Sequence, residues 1–592
     1  MEYDKQFPSS ADKKRAFGYY LSYLFNPRSI PGISYLEKIT HAFSPAERLA
    51  LYALGTLLVL STVWLLFLVN DSALSFKPAR GGTLVEGIIG TPRFINPVIA
   101  SSNADRDATA LVFSGLMRAD NESGFVLDLA ESFEITDDGK VYTFVLREDV
   151  YFHDNTRVTA EDVVFTVQTA QDPMIKSPRR VDWEGVLAAV IDEKTVQFTL
   201  PRPYAPFLEN ASIGILPKHL WQSVSPEEFQ FHPLNTQPVG SGPFKLGRSE
   251  RTRNGALDSF VLESFDGYSL GRPYINRIIL KFFANEDALI LALERGDIDS
   301  AAGITPGRAE NIKSKGISIH TAPLPRVFAA FFNQNQNTSL ARQEVRAALI
   351  AAIDNKLIID EVLLGYADVL GGPIPPGILE SDSSQTSKAK GVKIARELLE
   401  KGGWKWIDEK GVWARGGENL SVQITTVNTP ELIQTAELVA DMWRDAGIAS
   451  EVQIFSPGEL TVNIIRPRNY EALLFGEIVG RSLDLFAFWH SSQRNDPGLN
   501  LSLYTNSAAD KLLGEARAEV DKSLRESKYS AFADLVIEDQ PAAFLYSPRF
   551  IYLTPSKLEG ISLGSLSTPS ERFSNVHDWF LESEKVWHIF TK

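Results

Sequence analysis

The stretch Leu146–Val167, LREDVYFHDNTRVTAEDVVFTV, gives the clearest fold signal in the chain. It continues an apolar and β-branched run, 141–146, that has the length of a strand. Residues 153–155, His-Asp-Asn, supply short polar side chains that favour a turn. Thr159 with Asp162 three residues later predicts a helix start, because this pair satisfies free amides of the first turn. The stretch predicts strand, turn and helix, an order common in α/β domains.

Two later regions predict βαβ units. In the first, a strand at 275–283 precedes a helix at 286–294. In the second, strands at 420–427 and 448–455 flank a helix at 431–446. Because a crossover helix joins parallel strands, these units predict an α/β fold with mostly parallel sheets in separate lobes.

The composition is that of a folded, acidic protein. Of 592 residues, 44% are hydrophobic and 22% are charged, as in ordinary globular proteins. The formal net charge of −15 repels phosphate backbones, so we expect no nucleic-acid partner. The absence of cysteine excludes disulfides, thiolate metal sites, a cysteine nucleophile and a lipid-anchoring cysteine. The histidines are scattered without the spacing of metal ligands, so no metal or other cofactor is expected.

The segment between Arg48 and Asp71 predicts a membrane span. Residues 49–70 carry no formal charge, and as a helix they are long enough to cross a hydrocarbon core of about 30 Å. A secretory signal peptide has a shorter apolar region nearer the terminus. The alternative is a buried helix in a soluble core. We expect a single uncleaved span at the cell membrane, with 1–48 as a cytoplasmic tail and the large C-terminal part outside the cytoplasm.

The opening stretch and several other blocks resemble a family of extracytoplasmic solute-binding proteins. This family is the peptide and nickel class, family 5, which includes oligopeptide- and dipeptide-binding proteins and feeds ABC importers. The resemblance covers the chain from about residue 81 to the C-terminus, and the order of the blocks makes it specific. The further blocks are TPRFINP (91–97), LVFSGLMR (111–118), LAESFEITDDGKVYTFVLRE (129–148), ILPKHLW (215–221), PVGSGPFKL (238–246) and VRAALIAAIDNKLI (345–358).

The resemblance implies a bilobed α/β fold with a hinge, preceded by one transmembrane helix. Lobe 1 spans 78–325 and is completed by 547–592, whereas lobe 2 is the insertion 326–546. Two crossing strands form the hinge, and the lobes close around a peptide-like ligand. Proteins of this type present the loaded form to the permease subunits of an ABC transporter.

The resemblance places the ligand anchor in 480–493, GRSLDLFAFWHSSQ. Peptide binders carry an acidic segment here, usually Asp-Pro-Asp, which receives the peptide ammonium by a charge-assisted bond. Ser482-Leu483-Asp484 keeps only the last acid. Either Asp484 is the ligand anchor, or it pairs with the neighbouring Arg481. The depletion of acids argues against a simple peptide ligand with a free N-terminus.

Five further residues complete the predicted ligand-binding set. Arg481 is a candidate for bidentate bonding to a ligand carboxylate. Trp489 either lines the pocket or belongs to the core, since aromatic residues in a run are more often buried. Phe332, Asn333 and Gly242 lie in segments that resemble the family.

Two alternatives to a peptide receptor stay open. The same fold could serve as an anchored sensor or docking protein, with the N-terminal tail as its partner-binding part. A hydrolase is the other alternative, because Gly560, Ser562 and Gly564 match the G-x-S-x-G motif. That motif requires a strand before it and a helix after it, and the chain offers only Asp578 and His588 as later triad partners.

Overall fold

The structure, a computed structural model, describes residues 43–72, 74–120, 124–312, 316–379 and 390–587. Most of the predicted tail, 1–42, lies outside this part of the chain. The described residues fall into two compact units, one formed by those of 43–77 together with 583–587 and the other by those of 78–582. We describe them separately.

The helices of the described residues are α1 (Pro45–Ser72), α2 (Asn103–Val112), α3 (Ala160–Gln171), α4 (Phe207–Asn210), α5 (Lys218–Trp221), α6 (Glu286–Arg295), α7 (Pro306–Asn311), α8 (Gln343–Ala352), α9 (Asn355–Val362), α10 (Val392–Lys401), α11 (Pro430–Ala446), α12 (Pro457–Glu459), α13 (Phe486–Trp489), α14 (Ser507–Ala518) and α15 (Lys522–Asp539). The strands are β1 (Leu74–Ala79), β2 (Gly81–Ile89), β3 (Met117–Asp120), β4 (Gly124–Leu127), β5 (Ala130–Ile135), β6 (Val141–Leu146), β7 (Leu187–Val190), β8 (Thr195–Thr199), β9 (Phe244–Arg251), β10 (Leu257–Ser264), β11 (Ile275–Phe283), β12 (Ser300–Ala302), β13 (Ile317–Pro323), β14 (Arg326–Phe332), β15 (Ala367–Val369), β16 (Lys405–Ile407), β17 (Val412–Arg415), β18 (Glu418–Asn419), β19 (Ser421–Val427), β20 (Ala449–Phe455), β21 (Ala472–Ile478), β22 (Ala542–Pro555) and β23 (Glu582–Trp587).

The smaller unit is dominated by α1. Residues 45–70 of this helix are long and apolar enough to cross a membrane, and none of them is buried against other parts of the protein. Its hydroxyl groups are satisfied within the helix, because Thr56 donates to the Tyr52 carbonyl at 2.8 Å and Thr62 to the Leu58 carbonyl at 2.7 Å. A helix in hydrocarbon needs this internal pairing of polar groups. The helix is therefore a candidate membrane span.

The opening stretch of the sequence folds as predicted. β6 is followed by a turn and by α3, which begins after Thr159. The Asp162 carboxylate accepts hydrogen bonds from the Thr159 amide at 2.9 Å and from the Thr159 hydroxyl at 2.8 Å. Its other oxygen accepts from the Lys218 amide at 2.8 Å, so the helix start also fixes α5.

A long sheet organises the larger unit, with strand order β20-β19-β21-β14-β22-β12-β2-β11-β10-β9. Both predicted βαβ units are present, since β11 and β12 run parallel to β2, and β19 runs parallel to β20 across α11. The expectation of mostly parallel sheets is wrong, however. β9–β10, β10–β11, β14–β21 and β22 with its neighbours are antiparallel, as is the separate sheet β5-β6-β8-β7. Some of these antiparallel pairs join strands close in sequence, such as β9 and β10, but β14 pairs with β21 and β22 from far along the chain, which local sequence patterns do not reveal.

The larger unit is bilobed, with two main apolar cores. One core takes residues from Leu84 to Leu324 and again from Phe550 to Trp579. The other takes residues between Val327 and Tyr546. β22 passes from the second core to the first, pairing with β14 at its start and with β13 at its end. We call the two halves lobe 1 and lobe 2; their predicted boundaries at 325/326 and 546/547 stay a prediction.

A buried ion cluster ties the C-terminal segment to lobe 1. Arg572 is 1% exposed and lies 2.8 Å from Glu86 and 2.9 Å from Asp107, both of which are buried. Tyr552 donates to the same Glu86 carboxylate at 2.9 Å. Because the guanidinium pairs with both acids and the hydroxyl supplies a further bond, this cluster joins β2, α2 and the C-terminal segment.

Candidate ligand-binding site

A cavity of about 460 Å³ lies between the two lobes beside the strands that connect them. Lobe 1 lines it with 303–306, and lobe 2 lines it with 475–478 and with Thr429, Glu431 and Leu432 at the start of α11. Residues at the crossing strands also line it, among them Leu324, Arg326, Pro548 and Arg549. This volume is within the range of small-molecule sites, which is about 300–1,000 Å³.

One edge of β21 is open where it meets the cavity. β14 pairs with β21 along its whole length, whereas β19 pairs only with Ala472 and Leu473. The Val479 amide donates to the Pro325 carbonyl at 2.9 Å, on the β14 side. Because main-chain groups alternate between the two edges of a strand, the amides and carbonyls of Gly476 and Ile478 point to the open edge. These groups can pair with another extended main chain.

An aromatic wall borders this edge. The Phe328 ring stacks on the Tyr546 ring with centroids 5.1 Å apart, and both residues line the cavity. Phe328 lies directly opposite Gly476, where a Cβ atom would come within 2.7 Å of the Phe328 ring. Glycine at this position therefore lets the ring pack against the open edge. Burial raises the pKa of Tyr546 to about 12, so its hydroxyl stays protonated at neutral pH.

The two arginines of the cavity differ in their partners. Arg549 makes a bidentate contact with Asp368, at 2.7 and 3.0 Å, which raises the pKa of Arg549. Within the described residues, Arg326 has no carboxylate partner, and its Nε atom is buried without a hydrogen bond. Burial lowers the pKa of Arg326. One of the two guanidinium groups is therefore already neutralised and the other is not.

Glu477 is a buried acid beside the cavity. It is 3% exposed, and neither carboxylate oxygen has a partner among the described residues. Burial raises the pKa of Glu477 well above its usual value, which favours the protonated form. In the β14–β21 register Glu477 lies opposite Val327, so its side chain is on the other face of the sheet from Arg326, Phe328 and Ile478.

Arg481, predicted to meet a ligand carboxylate, is held by lobe 1. Its guanidinium lies 2.8 Å from Glu571 and donates to the main-chain carbonyls of Asp120 and Ser565. The Arg481 amide donates to the Ser567 hydroxyl at 2.9 Å. All these partners belong to the protein, so Arg481 joins the segment after β21 to lobe 1.

Asp484, the predicted ammonium anchor, has partners of its own. Its carboxylate lies 2.8 Å from Arg517 and accepts from the Tyr204 hydroxyl at 3.2 Å. The alternative of a pair with Arg481 is wrong, because Arg481 turns towards Glu571 and Arg517, on α14, approaches Asp484 instead. Ser482, two residues before Asp484, donates to Glu209 of lobe 1. The role of Asp484 as ligand anchor stays a prediction.

The other four predicted residues are packing residues in this structure. Trp489 is 1% exposed, with its ring centroid 5.8 Å from that of Phe544. Phe332 is fully buried, and the side-chain amide of Asn333 donates to the Arg468 carbonyl at 2.8 Å. Gly242 lets its own main chain lie against that of Val112, because a Cβ atom at Gly242 would come within 2.6 Å of the Val112 main chain. Their predicted ligand contact stays a prediction, and none of the four borders the cavity described above.

Sequence reasoning missed Arg326 and the open edge of β21. Arg326 stands at the head of an apolar strand, RVFAAFF, directly after Pro-Leu-Pro. The position of a charged residue at the start of a buried strand could have singled it out. Nothing in the sequence of β21 predicts the open edge, because that edge depends on where the pairing between β19 and β21 stops.

The G-x-S-x-G motif lacks the context that catalysis requires. Residues 560–566 form an irregular segment after β22, with neither a strand directly before Ser562 nor a helix directly after it. His588, the proposed triad base, lies outside the described residues.

Comparison with known proteins decides the family. Residues 124–508 match the family described as bacterial extracellular solute-binding proteins, family 5. The chain belongs to this family. Its large domain is therefore an extracytoplasmic solute-binding domain of the peptide and nickel class associated with ABC importers, as the resemblance predicted.

Similar proteins agree with this assignment. The oligopeptide-binding protein AppA of Bacillus subtilis is 29% identical over 85% of this chain and 92% of its own length. The structure of that protein in complex with a nonapeptide has a TM-score of 0.65, with 28% identity over 86% of this chain and all of the other. NikZ from Campylobacter jejuni, solved with Ni(L-His), has a TM-score of 0.66 and 27% identity over 84% of this chain and 99% of its own. These similar proteins are solute-binding proteins and not enzymes, which weakens the hydrolase alternative.

Proposed function

We infer that the domain from residue 78 onwards captures peptide-like ligands in the cavity between its lobes and delivers them to an ABC permease. The observation that carries this proposal is the open edge of β21, where the main-chain groups of Gly476 and Ile478 face the cavity. An extended peptide satisfies such groups by adding a strand to the sheet. The likeness to oligopeptide-binding AppA supports the same ligand class.

The lobes are proposed to close around the ligand by bending at 325/326 and 546/547. Two hydrogen bonds mark the crossing point: the Leu324 amide donates to the Pro548 carbonyl at 3.2 Å, and the Val479 amide to the Pro325 carbonyl at 2.9 Å. Lobe 1 in this proposal is 78–325 with 547–592, and lobe 2 is 326–546. Small rotations at a few such residues produce large closures.

The predicted binding residues take two proposed roles. Asp484 receives a ligand ammonium, which takes the place of the Arg517 guanidinium on its carboxylate. Arg481 holds the same segment against lobe 1. Trp489, Phe332, Asn333 and Gly242 shape the site through packing, because each is fixed by core contacts.

The protein is proposed to be anchored by α1 as a single uncleaved span. Residues 1–48 are then the cytoplasmic tail, and the binding domain stands on the opposite side, where it meets the permease subunits. The length and full exposure of the helix support this arrangement. The sensor alternative concerns the tail, most of which lies outside the described residues.

The test uses full-length protein in detergent micelles and a pool of tri- to hexapeptides. We expect the peptides to raise the melting temperature, corresponding to about 2.7 kcal/mol at a concentration of 100 times Kd. The matched control is the same pool with N-methylated peptide bonds, which keep the side chains but lose the donors for strand pairing. Equal stabilisation by both pools would contradict capture at the β21 edge, and no stabilisation by either would contradict peptide binding.

A further inference from the structure

Arg326 is the one charged side chain at the crossing strands whose charge the described residues leave unbalanced. It begins β14 and lies opposite Ile478 of β21, so it shares a sheet face with Phe328 and lines the cavity. That face packs towards α11, as the contact between Phe332 and Trp443 shows, with ring centroids 6.4 Å apart. The guanidinium therefore stands on the cavity side of the sheet, one strand away from the open edge of β21.

The surroundings of Arg326 contain no counter-ion. No carboxylate within the described chain approaches to ion-pair distance, and its Nε atom is buried without a hydrogen bond. Arg549, the other arginine of the cavity, is held by both oxygens of Asp368. Two acids lie nearby, and neither forms an ion pair with Arg326 in the described part of the chain. Glu431 borders the cavity near Tyr546, and Glu477 projects from the opposite face of the sheet.

A partly buried cation without a counter-ion is unfavourable in an isolated protein. Removing charge from water costs free energy unless an opposite charge or several hydrogen bonds replace the lost solvation. A planar guanidinium is best satisfied by a carboxylate, which accepts two parallel hydrogen bonds from it. The missing partner of Arg326 is therefore of a kind that a peptide can carry, at its C-terminus or on an acidic side chain.

We propose that Arg326 forms a subsite for a ligand carboxylate, so that the cavity selects peptides with an anionic group positioned at the crossing strands. The sequence pointed to Arg481 for this role, but Glu571 and two carbonyls already hold that guanidinium. This inference rests on the proposed function and narrows its ligand class. It also assigns an energetic role to the ligand, which completes an ion pair that the ligand-free protein lacks.

The test compares three tripeptide pools on full-length protein in detergent micelles. The first pool contains no acidic residue and has free C-terminal carboxylates. The second is the same pool with amidated C-termini, and the third is amidated with glutamate at the central position. Melting-temperature shifts rank the pools, and titration calorimetry gives Kd for the best member of the first pool and for its amide. The variants are Arg326→Gln, Arg326→Lys and, as a matched control, Arg253→Gln at an exposed turn.

We expect wild type and Arg253→Gln to bind the free acid about 10- to 100-fold more tightly than the amide, the range of a hydrogen bond to a charged group. Arg326→Gln loses this preference, and Arg326→Lys keeps part of it. If the glutamate pool recovers binding in an Arg326-dependent way, the carboxylate comes from the side chain; if it does not, the C-terminus supplies it. The ligand-free Arg326→Gln protein should melt no lower than wild type, because it loses only an unpaired charge.

Four results overturn the inference. Equal affinity of wild type for acid and amide excludes a carboxylate subsite, while leaving the proposed function in place. A preference that persists in Arg326→Gln assigns the carboxylate to another cation. A lower melting temperature of ligand-free Arg326→Gln shows that the fold already balances this charge. If no pool binds wild type, the proposed function fails, and the inference fails with it.

Discussion

The Arg481 guanidinium lies 2.8 Å from the Glu571 carboxylate, joining the segment after β21 to the C-terminal segment of lobe 1. Both side chains are largely buried, and Arg481 also donates to two carbonyls of lobe 1. This pair therefore bridges the two lobes, and neither of its residues lines the cavity. It acts together with two other contacts between the lobes, one from Ser482 to Glu209 and one from Tyr204 to Asp484.

Replacing Arg481 with methionine should weaken this contact. Removing one partner of a buried pair leaves the other charge unbalanced, at a cost of about 3–5 kcal/mol. Small-angle scattering should show a larger radius of gyration for ligand-free Arg481→Met than for wild type. The control is Arg248→Met, which removes an exposed ion pair with Glu250. It should leave the radius of gyration unchanged and alter the free energy of unfolding by no more than about 1 kcal/mol. An unchanged radius in Arg481→Met would show that other contacts hold the lobes.

Substituting alanine for Gly476 should disturb the cavity wall. The new Cβ atom would lie 2.7 Å from the Phe328 ring, which Tyr546 holds in place. We expect a loss of about 1–3 kcal/mol in the free energy of unfolding, together with weaker peptide binding. Gly514→Ala is the control, because this helical glycine has no neighbour within 4 Å and alanine favours helix by up to about 1 kcal/mol. The double variant Gly476→Ala, Phe328→Leu should regain stability, and failure to do so would place the strain elsewhere.

Glu477 should make the protein less stable as the pH rises. Its folded-state pKa lies well above 4.5, so the folded protein binds a proton that the unfolded chain has released. The free energy of unfolding then falls by about 1.4 kcal/mol for each pH unit between 4.5 and the folded-state pKa. Glu477→Gln mimics the protonated acid, so its free energy of unfolding should not decrease in this way as the pH rises. The variant should be more stable than wild type at pH 8 and no more stable near pH 4.5. The control is Glu184→Gln, at an exposed position, which should keep the pH dependence of wild type. If urea denaturation gives the same pH profile for wild type and Glu477→Gln, Glu477 is not the cause of the pH dependence.

The α1 helix should keep the full-length protein in the membrane. Intact-mass measurement of protein from washed membranes should recover the complete chain, including Met1 or the residue after it. Leu60→Arg, near the middle of the helix, should reduce insertion, because a central arginine costs about 2.5–3.5 kcal/mol. Leu357→Arg, at a partly exposed position of α9, serves as the control and should not alter membrane association. Soluble mature protein lacking α1 would identify the helix as a signal sequence instead.

The local elements were predictable because their causes lie within a few residues. Thr159 and Asp162 predicted the start of α3, and the two hydrogen bonds between them account for it. The apolar run 49–70 predicted a helix, which the structure extends to Pro45–Ser72. The family was recognisable from the order of its sequence blocks, and the family match confirms it.

The candidate site was less predictable, because its chemistry depends on partners far along the chain. Nothing near Arg481 indicated that Glu571 would hold it, and nothing near Asp484 indicated Arg517. Arg326 owes its interest to the lack of a counter-ion, which only the folded arrangement reveals. The excess of antiparallel pairing was missed for the same reason, since β14 and β22 meet across about 200 residues.

Hydrogen–deuterium exchange of 474–479, with and without a saturating free-acid tripeptide pool, tests the central claim most directly. The paired strand segment 328–331 is the internal control, because its pairing with β21 and β22 is already complete. The account predicts that peptide slows exchange at Gly476 and Ile478 and leaves 328–331 almost unchanged. Peptide-induced stabilisation without slower exchange at these two amides would contradict capture of the ligand on the open edge of β21.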